Sequence, residues 1–259
     1  MEPSSSPFVI GGTGGSGTRV VHAVLGQCGV FMGRNLNEAG DAMDFEPFLD
    51  EAINPLLSRT RSLNYNLADL GPGPWDEAVE KIQAIIRRYR AEAPRGAKGW
   101  GWKNPRSMYV LPLIHQVFPD FRFIHLVRDG KDMAFSGNQN QPIKHFTAYF
   151  DESYDHFSPA HAIRLWARAN GDVADWGEKT LKERYLRLRF EDLCLKPTDT
   201  IQQLIAWAEL AGDAENLTSL VDIPSSLGRW KNEDSQVVAS LHEAAQPALA
   251  RFGYSAFGT

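Results

Sequence analysis

With 259 residues, 43% hydrophobic and 23% charged, the chain has the make-up of one ordinary globular domain, near the upper size a single core supports. Its net charge of −5 excludes a general affinity for nucleic acid, although a local basic pocket fits within that total. No apolar run approaches the ~18 residues of a membrane span. The start, Met1 to Pro7, has neither the basic nor the apolar region of a signal peptide, so a cytoplasmic protein is expected. Cys28 and Cys194 lie far apart, match no metal spacing and read as reduced, buried thiols.

In chain order, Phe8 to Ile10 is a short apolar run that stops at glycines, and Thr18 to Cys28 reads as a helix with Val20, Val21, Val24 and Leu25 on one side. Val30 to Asp44 reads as loop and Glu46 to Leu57 as a short helix. From Trp75 to Arg90 apolar residues recur at spacings of three and four, a clear helix whose Arg87, Arg88 and Arg90 are expected on a solvated face. Gly99 to Trp102 follows as a strand and Leu111 to Phe118 as a helix. Phe121 to Val127 is nearly all apolar, which suits a strand in the buried centre of a parallel sheet. Then come a helix from about Asp129, an aromatic-rich stretch to Phe157, and a long helix over Ala162 to Leu181. Tyr185 to Phe190 reads as a strand, and Ile201 to Leu210 and Gln236 to Phe252 as helices. Helices alternating with short buried strands predict an α/β fold: one three-layer, Rossmann-like domain over residues 1–259, with a mostly parallel central sheet flanked by helices.

The glycine stretch from Gly11 to Arg19 lies between a strand and a helix. Glycines there let successive amides converge on an anion at a helix N-terminus. The spacing Gly12 to Gly17 fits the nucleotide-triphosphatase loop G-x-x-x-x-G-K-[ST], but the next two residues do not. Thr18 replaces the phosphate-binding lysine and Arg19 the Mg²⁺-binding hydroxyl, which argues against kinase chemistry. Arg19 opposes the helix dipole and calls for either a bound anion or a nearby carboxylate. At the end of the central strand, Arg128 and Ser136 can place a guanidinium and a hydroxyl on one phosphate; a structural Arg128–Asp129 pair is the plainer alternative.

Together these segments resemble the sulfotransferases that use 3′-phosphoadenosine 5′-phosphosulfate (PAPS). Ser16-Gly17-Thr18 matches the end of the family's 5′-phosphosulfate loop, so Gly14, Gly15, Ser16, Gly17, Thr18 and Arg19 are expected at the donor. Arg128 to Ser136 is similar to the 3′-phosphate motif R-D-P-R-D-x-x-x-S, with Gly130 for proline and Lys131 for arginine. Arg189-Phe-Glu-Asp-Leu193, followed by Pro197, looks like R-Y-E-D-L…P, in which Phe190 takes the place of an adenine-contacting aromatic. Ser225 to Trp230 resembles the C-terminal segment that closes over the cofactor and nominates Ser225, Arg229 and Trp230. The resemblance implies a P-loop fold, PAPS as donor, PAP as product and no metal. One departure stands out: many members carry Lys or Arg where this chain has Gly15.

Sulfuryl transfer needs a base for the acceptor's proton and a cation for the leaving phosphate. Trp102-Lys103-Asn-Pro-Arg106 aligns with the cytosolic members' K-T-H, which gives Lys103 the cation's role and leaves Pro105 at the base position. A carboxylate is the natural substitute. The loop after the first helix offers Glu38, Asp41, Asp44 and Glu46, with Asp44 preferred and Asp41 next, and His145 and His156 in reserve. The histidines His22, His115 and His125 read as packed. The aromatic stretch Phe146 to Phe157 lies where the family places acceptor contacts, for a small-molecule or carbohydrate acceptor, or is simply core. Two other readings compete: another P-loop nucleotide-dependent enzyme, and a PAP- or PAPS-binding protein without turnover.

Overall fold

The computed structural model describes residues 6–254. Five strands, β1 (Phe8–Gly12), β2 (Val30–Phe31), β3 (Gly99–Lys103), β4 (Arg122–Val127) and β5 (Tyr185–Arg189), form one sheet in the order β2-β3-β1-β4-β5. Every pairing is parallel, with Phe8 opposite Gly101 on one side and Arg122 on the other. The helices are α1 (Thr18–Gln27), α2 (Glu46–Thr60), α3 (Pro74–Ala91), α4 (Leu111–Val117), α5 (Gly130–Ala134), α6 (Asn140–Phe150), α7 (Pro159–Trp176), α8 (Phe190–Leu195), α9 (Pro197–Ala208), α10 (Ala214–Leu217) and α11 (Ser235–Arg251).

The strands are apolar on both faces because both faces are covered. Val9, Trp100, Trp102, Phe121 and Phe123 pack with α2, α3, α4, α6 and α7. Phe8, Ile10, Ile124, Leu126, Leu186 and Leu188 face the other way, onto α1, α9 and α10. A third cluster joins α5, α7 and α11 around Trp166 and Phe252. The result is the expected three-layer α/β architecture. Among the described residues no helix is long and apolar enough to cross a membrane.

Three local readings change. The expected loop from Val30 to Asp44 contains the two-residue edge strand β2, too short to leave a periodic pattern, and a 3₁₀ turn over Met43–Phe45. The helix expected from Asp129 is only five residues long. The aromatic stretch contains α6, and its rings are spent on packing: Phe146 and Tyr149 are both 0% exposed, and Phe146 stacks on Phe150 at 4.6 Å between centroids. Arg87 and Arg88 of α3 lie on the expected solvated face, where Arg88 reaches Asp44, and the half-buried Arg90 lies over the ring of Trp100.

Candidate active site

β1 delivers the chain into a loop that only glycine accommodates at two points. Gly15 and Gly17 have φ of 93° and 84°, in the left-handed region. Gly17 has a second reason: a Cβ there would sit 2.2 Å from the ring of Phe190. The loop is pinned by the Thr13 Oγ1–Ser16 Oγ contact at 2.8 Å and by the Ser16 amide donating to Thr13 O at 3.1 Å. Ser16 is thereby fully buried and braces the loop from below. The amides of Gly14, Gly15 and Gly17 find no acceptor among the described residues. A glycine cradle with free amides at a helix N-terminus is suited to a phosphate or sulfate group.

On one side of this cradle, at the end of β4, lies Arg128, buried and held from several directions. Its Nη1 donates to Gly15 O at 3.3 Å, its Nη2 to Asp132 Oδ2 at 2.9 Å and to Ser226 O, and its guanidinium lies over Phe190 at 4.8 Å. The alternative Arg128–Asp129 pair is not formed; Asp132, one helical turn on, is the partner. Asp129 instead caps α5 through the Lys131 amide at 2.9 Å, and burial raises its pKa to about 6. Ser136 faces Gly15, its Oγ 3.8 Å from a Cβ placed there, so Arg128 and Ser136 do flank the same loop residue.

The segment 220–230 closes over this end. Asp132 anchors it by accepting from the Gly228 amide at 2.8 Å and the Trp230 amide at 3.3 Å. Arg229 lines the cleft beneath. Trp230 does not line it; the buried indole lies under the Lys131 ammonium, 3.8 Å from the ring centroid, and acts as an anchor. Ser225 is exposed, and its neighbour Ser226 makes the contact with Arg128.

On the other side, at the end of β3, lies Lys103, only 2% exposed. Its Nζ donates to Ala39 O at 2.7 Å and Asp41 Oδ1 at 2.5 Å. Burial lowers the Lys103 pKa; Asp41 opposes that shift and the nearby Arg19 adds to it. Asp41 is itself held by Asn37, whose Nδ2 donates to Oδ2 at 3.0 Å. Arg19 is exposed in the cleft wall, and among the described residues no carboxylate lies within ion-pair distance of it. Of the two compensations expected for Arg19, the nearby carboxylate is not formed, and its guanidinium stays open to solvent in the cleft. Arg19 and Lys103 thus put two cations beside the loop that lacks one at Gly15.

Asp44 does not join them. It sits in the 3₁₀ turn before α2, pairs with Arg88 Nη2 at 3.5 Å and does not line the cleft. Glu46 is spent on Asn104 and Arg106, and Glu38 is exposed outside the lining. The reserve histidines fare no better: His145 is buried against Asn54 at 2.7 Å with its pKa lowered to about 3, and His156 is exposed. His125, as expected, is core, bonded to Tyr185 and Asn170. The cleft that unites Lys103, Asp41, Arg19, the glycine loop, Arg128, Phe190 and Arg229 has a volume of about 500 Å³, the size of a site for one nucleotide-like ligand.

A family model described as "Sulfotransferase family" matches residues 7–214, most of the chain. The chain belongs to the sulfotransferase family. No curated protein matches it. Among solved structures, the sulfotransferase domain from the curacin biosynthetic pathway superposes with a TM-score of 0.58 at 14% identity, covering 96% of this chain and 98% of that one. Sulfotransferase STF9 from Mycobacterium avium gives 0.56 at 14%, over 99% and 79%. The sulfotransferase domain of the Synechococcus PCC 7002 olefin synthase gives 0.53 at 15%, over 98% of each chain. At these identities the likeness is one of fold.

Within this sulfotransferase, four site residues escaped the sequence reading. Asp132 had a usable signal, since it stands four residues after Arg128 at the start of a helix. Asn138 and Ser226 had none, because each matters through contacts between segments far apart in sequence, and Asn37, four residues before Asp41, lies in an irregular loop with no periodic pattern.

Proposed function

We propose that this sulfotransferase is a single-domain, cytoplasmic enzyme that moves a sulfuryl group from PAPS to an acceptor hydroxyl or amine and releases PAP, in an in-line transfer without a metal. The observation that carries the reading is the placing of Lys103 and Arg128 on opposite sides of one glycine cradle, inside one cleft. The cradle's free amides fit a 5′-phosphosulfate, and Arg128, Ser136 and Arg229 fit a 3′-phosphate. Phe190, fixed against Gly17 and Arg128, offers an edge to a base. The donor supplies the activated sulfuryl group; the chain supplies position and charge.

Asp41, in place of Asp44, is the proposed base. Each of its oxygens has one partner and keeps further acceptor capacity for the acceptor's proton. Lys103 holds a fixed cation where charge grows on the leaving phosphate. As Asp41 gains a proton, its hold on Lys103 weakens, which makes the ammonium more available to that phosphate. The partner is a small-molecule or carbohydrate acceptor; nucleic acid and membrane have no part in the reaction. Two buried, unpaired cysteines suit a reducing compartment.

Titration calorimetry tests the donor. PAP should bind equally well with and without EDTA, and ADP, lacking the 3′-phosphate, at least ~10-fold more weakly. Equal binding of ADP, or a requirement for Mg²⁺, would overturn the assignment.

A further inference from the structure

Arg128 projects from a piece of main chain that is tied at each of the peptide groups around it. The Arg128 carbonyl accepts from Trp166 Nε1 at 3.0 Å, and the Asp129 amide donates to Glu191 Oε1 at 3.0 Å. The Tyr254 hydroxyl donates to the other oxygen of that carboxylate, Glu191 Oε2, at 2.7 Å and shares its proton with Val127 O at 3.2 Å. Glu191 directly follows Phe190, and Val127 lies opposite Arg189 in the pairing of β4 with β5. One phenol thus joins the two strand ends that carry Arg128 and Phe190.

Tyr254 reaches this place because of how α11 ends. Gly253 has a φ of 76°, a left-handed conformation that turns the chain back, and the Tyr254 amide donates to Leu249 O at 2.8 Å. The Tyr254 ring then meets Trp166 edge-on, at 6.3 Å between centroids, and carries the Arg189 guanidinium 4.7 Å from its centroid. Arg189 also donates to Gly253 O at 3.1 Å. Tyr254 is only 5% exposed and does not line the cleft. Burial, reinforced by the Glu191 carboxylate, raises its pKa well above that of a free tyrosine, so the hydroxyl remains a donor.

We infer that Tyr254 is a positioning residue for the donor site: its hydroxyl, with Glu191, fixes the main chain on either side of Arg128. On the donor reading above, that main chain sets where the guanidinium meets the 3′-phosphate. Asp132 and Ser226 hold the tip of the same side chain, so its root and its tip are anchored by separate groups. An arginine held only at its tip would follow any shift of its backbone, and the cleft would lose the fixed charge.

Calorimetry with PAP and ADP on each variant tests this. Wild type should prefer PAP by at least ~10-fold. Tyr254→Phe keeps the ring and removes the hydroxyl. It should weaken PAP ~5–10-fold, the loss of one hydrogen bond, and ADP less than ~2-fold, because Phe190 keeps its seat against Gly17. In an Arg128→Ala background the same substitution should change PAP affinity less than ~2-fold, since the group it positions is gone. A tyrosine that only stabilises the fold would lower Tm and weaken both nucleotides alike, or act independently of Arg128; either result would overturn the inference. Should Tyr254→Phe not fold, Glu191→Gln decides. Its one carbonyl oxygen has to serve both Tyr254 and Asp129, so the PAP preference should narrow, and an unchanged preference would reject the inference. A wild-type protein that binds the two nucleotides equally would overturn the donor reading, and this inference with it.

Discussion

Lys103 Nζ lies 2.5 Å from Asp41 Oδ1, joining the end of the third strand to a loop 62 residues earlier. The pair sets a buried cation and a carboxylate side by side in the wall of the cleft.

Asp41→Asn should therefore cut sulfuryl transfer by ~10²–10⁴-fold, the range for a lost general base. PAP affinity should change less than ~3-fold. Asp44→Asn, which breaks only the contact with Arg88, should turn over at the wild-type rate. Single-turnover rates and PAP titrations on the same preparations check both; a dead Asp44→Asn beside an active Asp41→Asn would reverse the assignment.

Because burial lowers the pKa of Lys103, the protonated form it needs is lost at lower pH than in an ordinary lysine. The alkaline limb of kcat should fall below the ~10.4 of a free side chain. Lys103→Ala should lower kcat far more than PAP affinity. A limb at or above the ordinary lysine value would contradict the first of these.

With Arg128 as the proposed partner of the 3′-phosphate, Arg128→Ala should weaken PAP by ~1.5–3 kcal/mol, with ADP almost unaffected. Asp132→Asn, outside the cleft, should also weaken PAP, by roughly 10-fold, because it loosens the charged bond that aims Arg128. Calorimetry with both nucleotides decides; equal losses for PAP and ADP would make the arginine structural.

The two loop glycines should differ on substitution. Gly15→Ala adds the strain of a positive φ, about 1 kcal/mol, but its Cβ meets nothing closer than 3.7 Å. Gly17→Ala adds the same strain and drives a methyl into Phe190. Gly17→Ala should lower Tm the more and should also weaken PAP. Similar Tm values would mean that Phe190 moves aside freely.

Acid should destabilise the fold. His125 and His145 have folded pKa values of about 3, lowered chiefly by burial, so the unfolded chain binds protons that the folded one refuses. Their contribution is complete above pH ~6.5 and is lost as pH falls toward 3, on the order of 4 kcal/mol for both at pH 5. Asp129 acts in the opposite direction. Its raised pKa of about 6 makes the folded state the better proton acceptor between pH ~4 and 6, returning roughly 1 kcal/mol at pH 5. Urea unfolding at pH 7 and pH 5 should show the net loss, and His145→Asn should reduce it.

The sheet and its layers were legible in the sequence because the strands are continuous apolar runs and most helices keep a 3.6-residue period. The meeting of Gly17, Arg128 and Phe190 was legible too, since they lie in short motifs next to strand ends. The carboxylate that meets Lys103 was not. Asp41 and Asp44 are three residues apart in one irregular loop, and only the turn at Met43–Phe45 decides which of them faces Lys103 and which faces Arg88. The aromatic stretch stayed open between two readings, because ring spacing looks the same whether the rings line a pocket or fill a core.

The order of the strands sets a scale for the substrate. Lys103, the glycine loop, Arg128 and Phe190 stand at the ends of β3, β1, β4 and β5, which are consecutive neighbours. Three steps of about 4.8 Å set the backbone ends of β3 and β5 some ~14 Å apart, fixed by backbone hydrogen bonding. The Phe190 ring shortens that span by reaching back over Gly17 and Arg128. The sheet thus acts as a ruler laid across the cleft, along which Lys103 marks one end and the Phe190 ring an inner graduation.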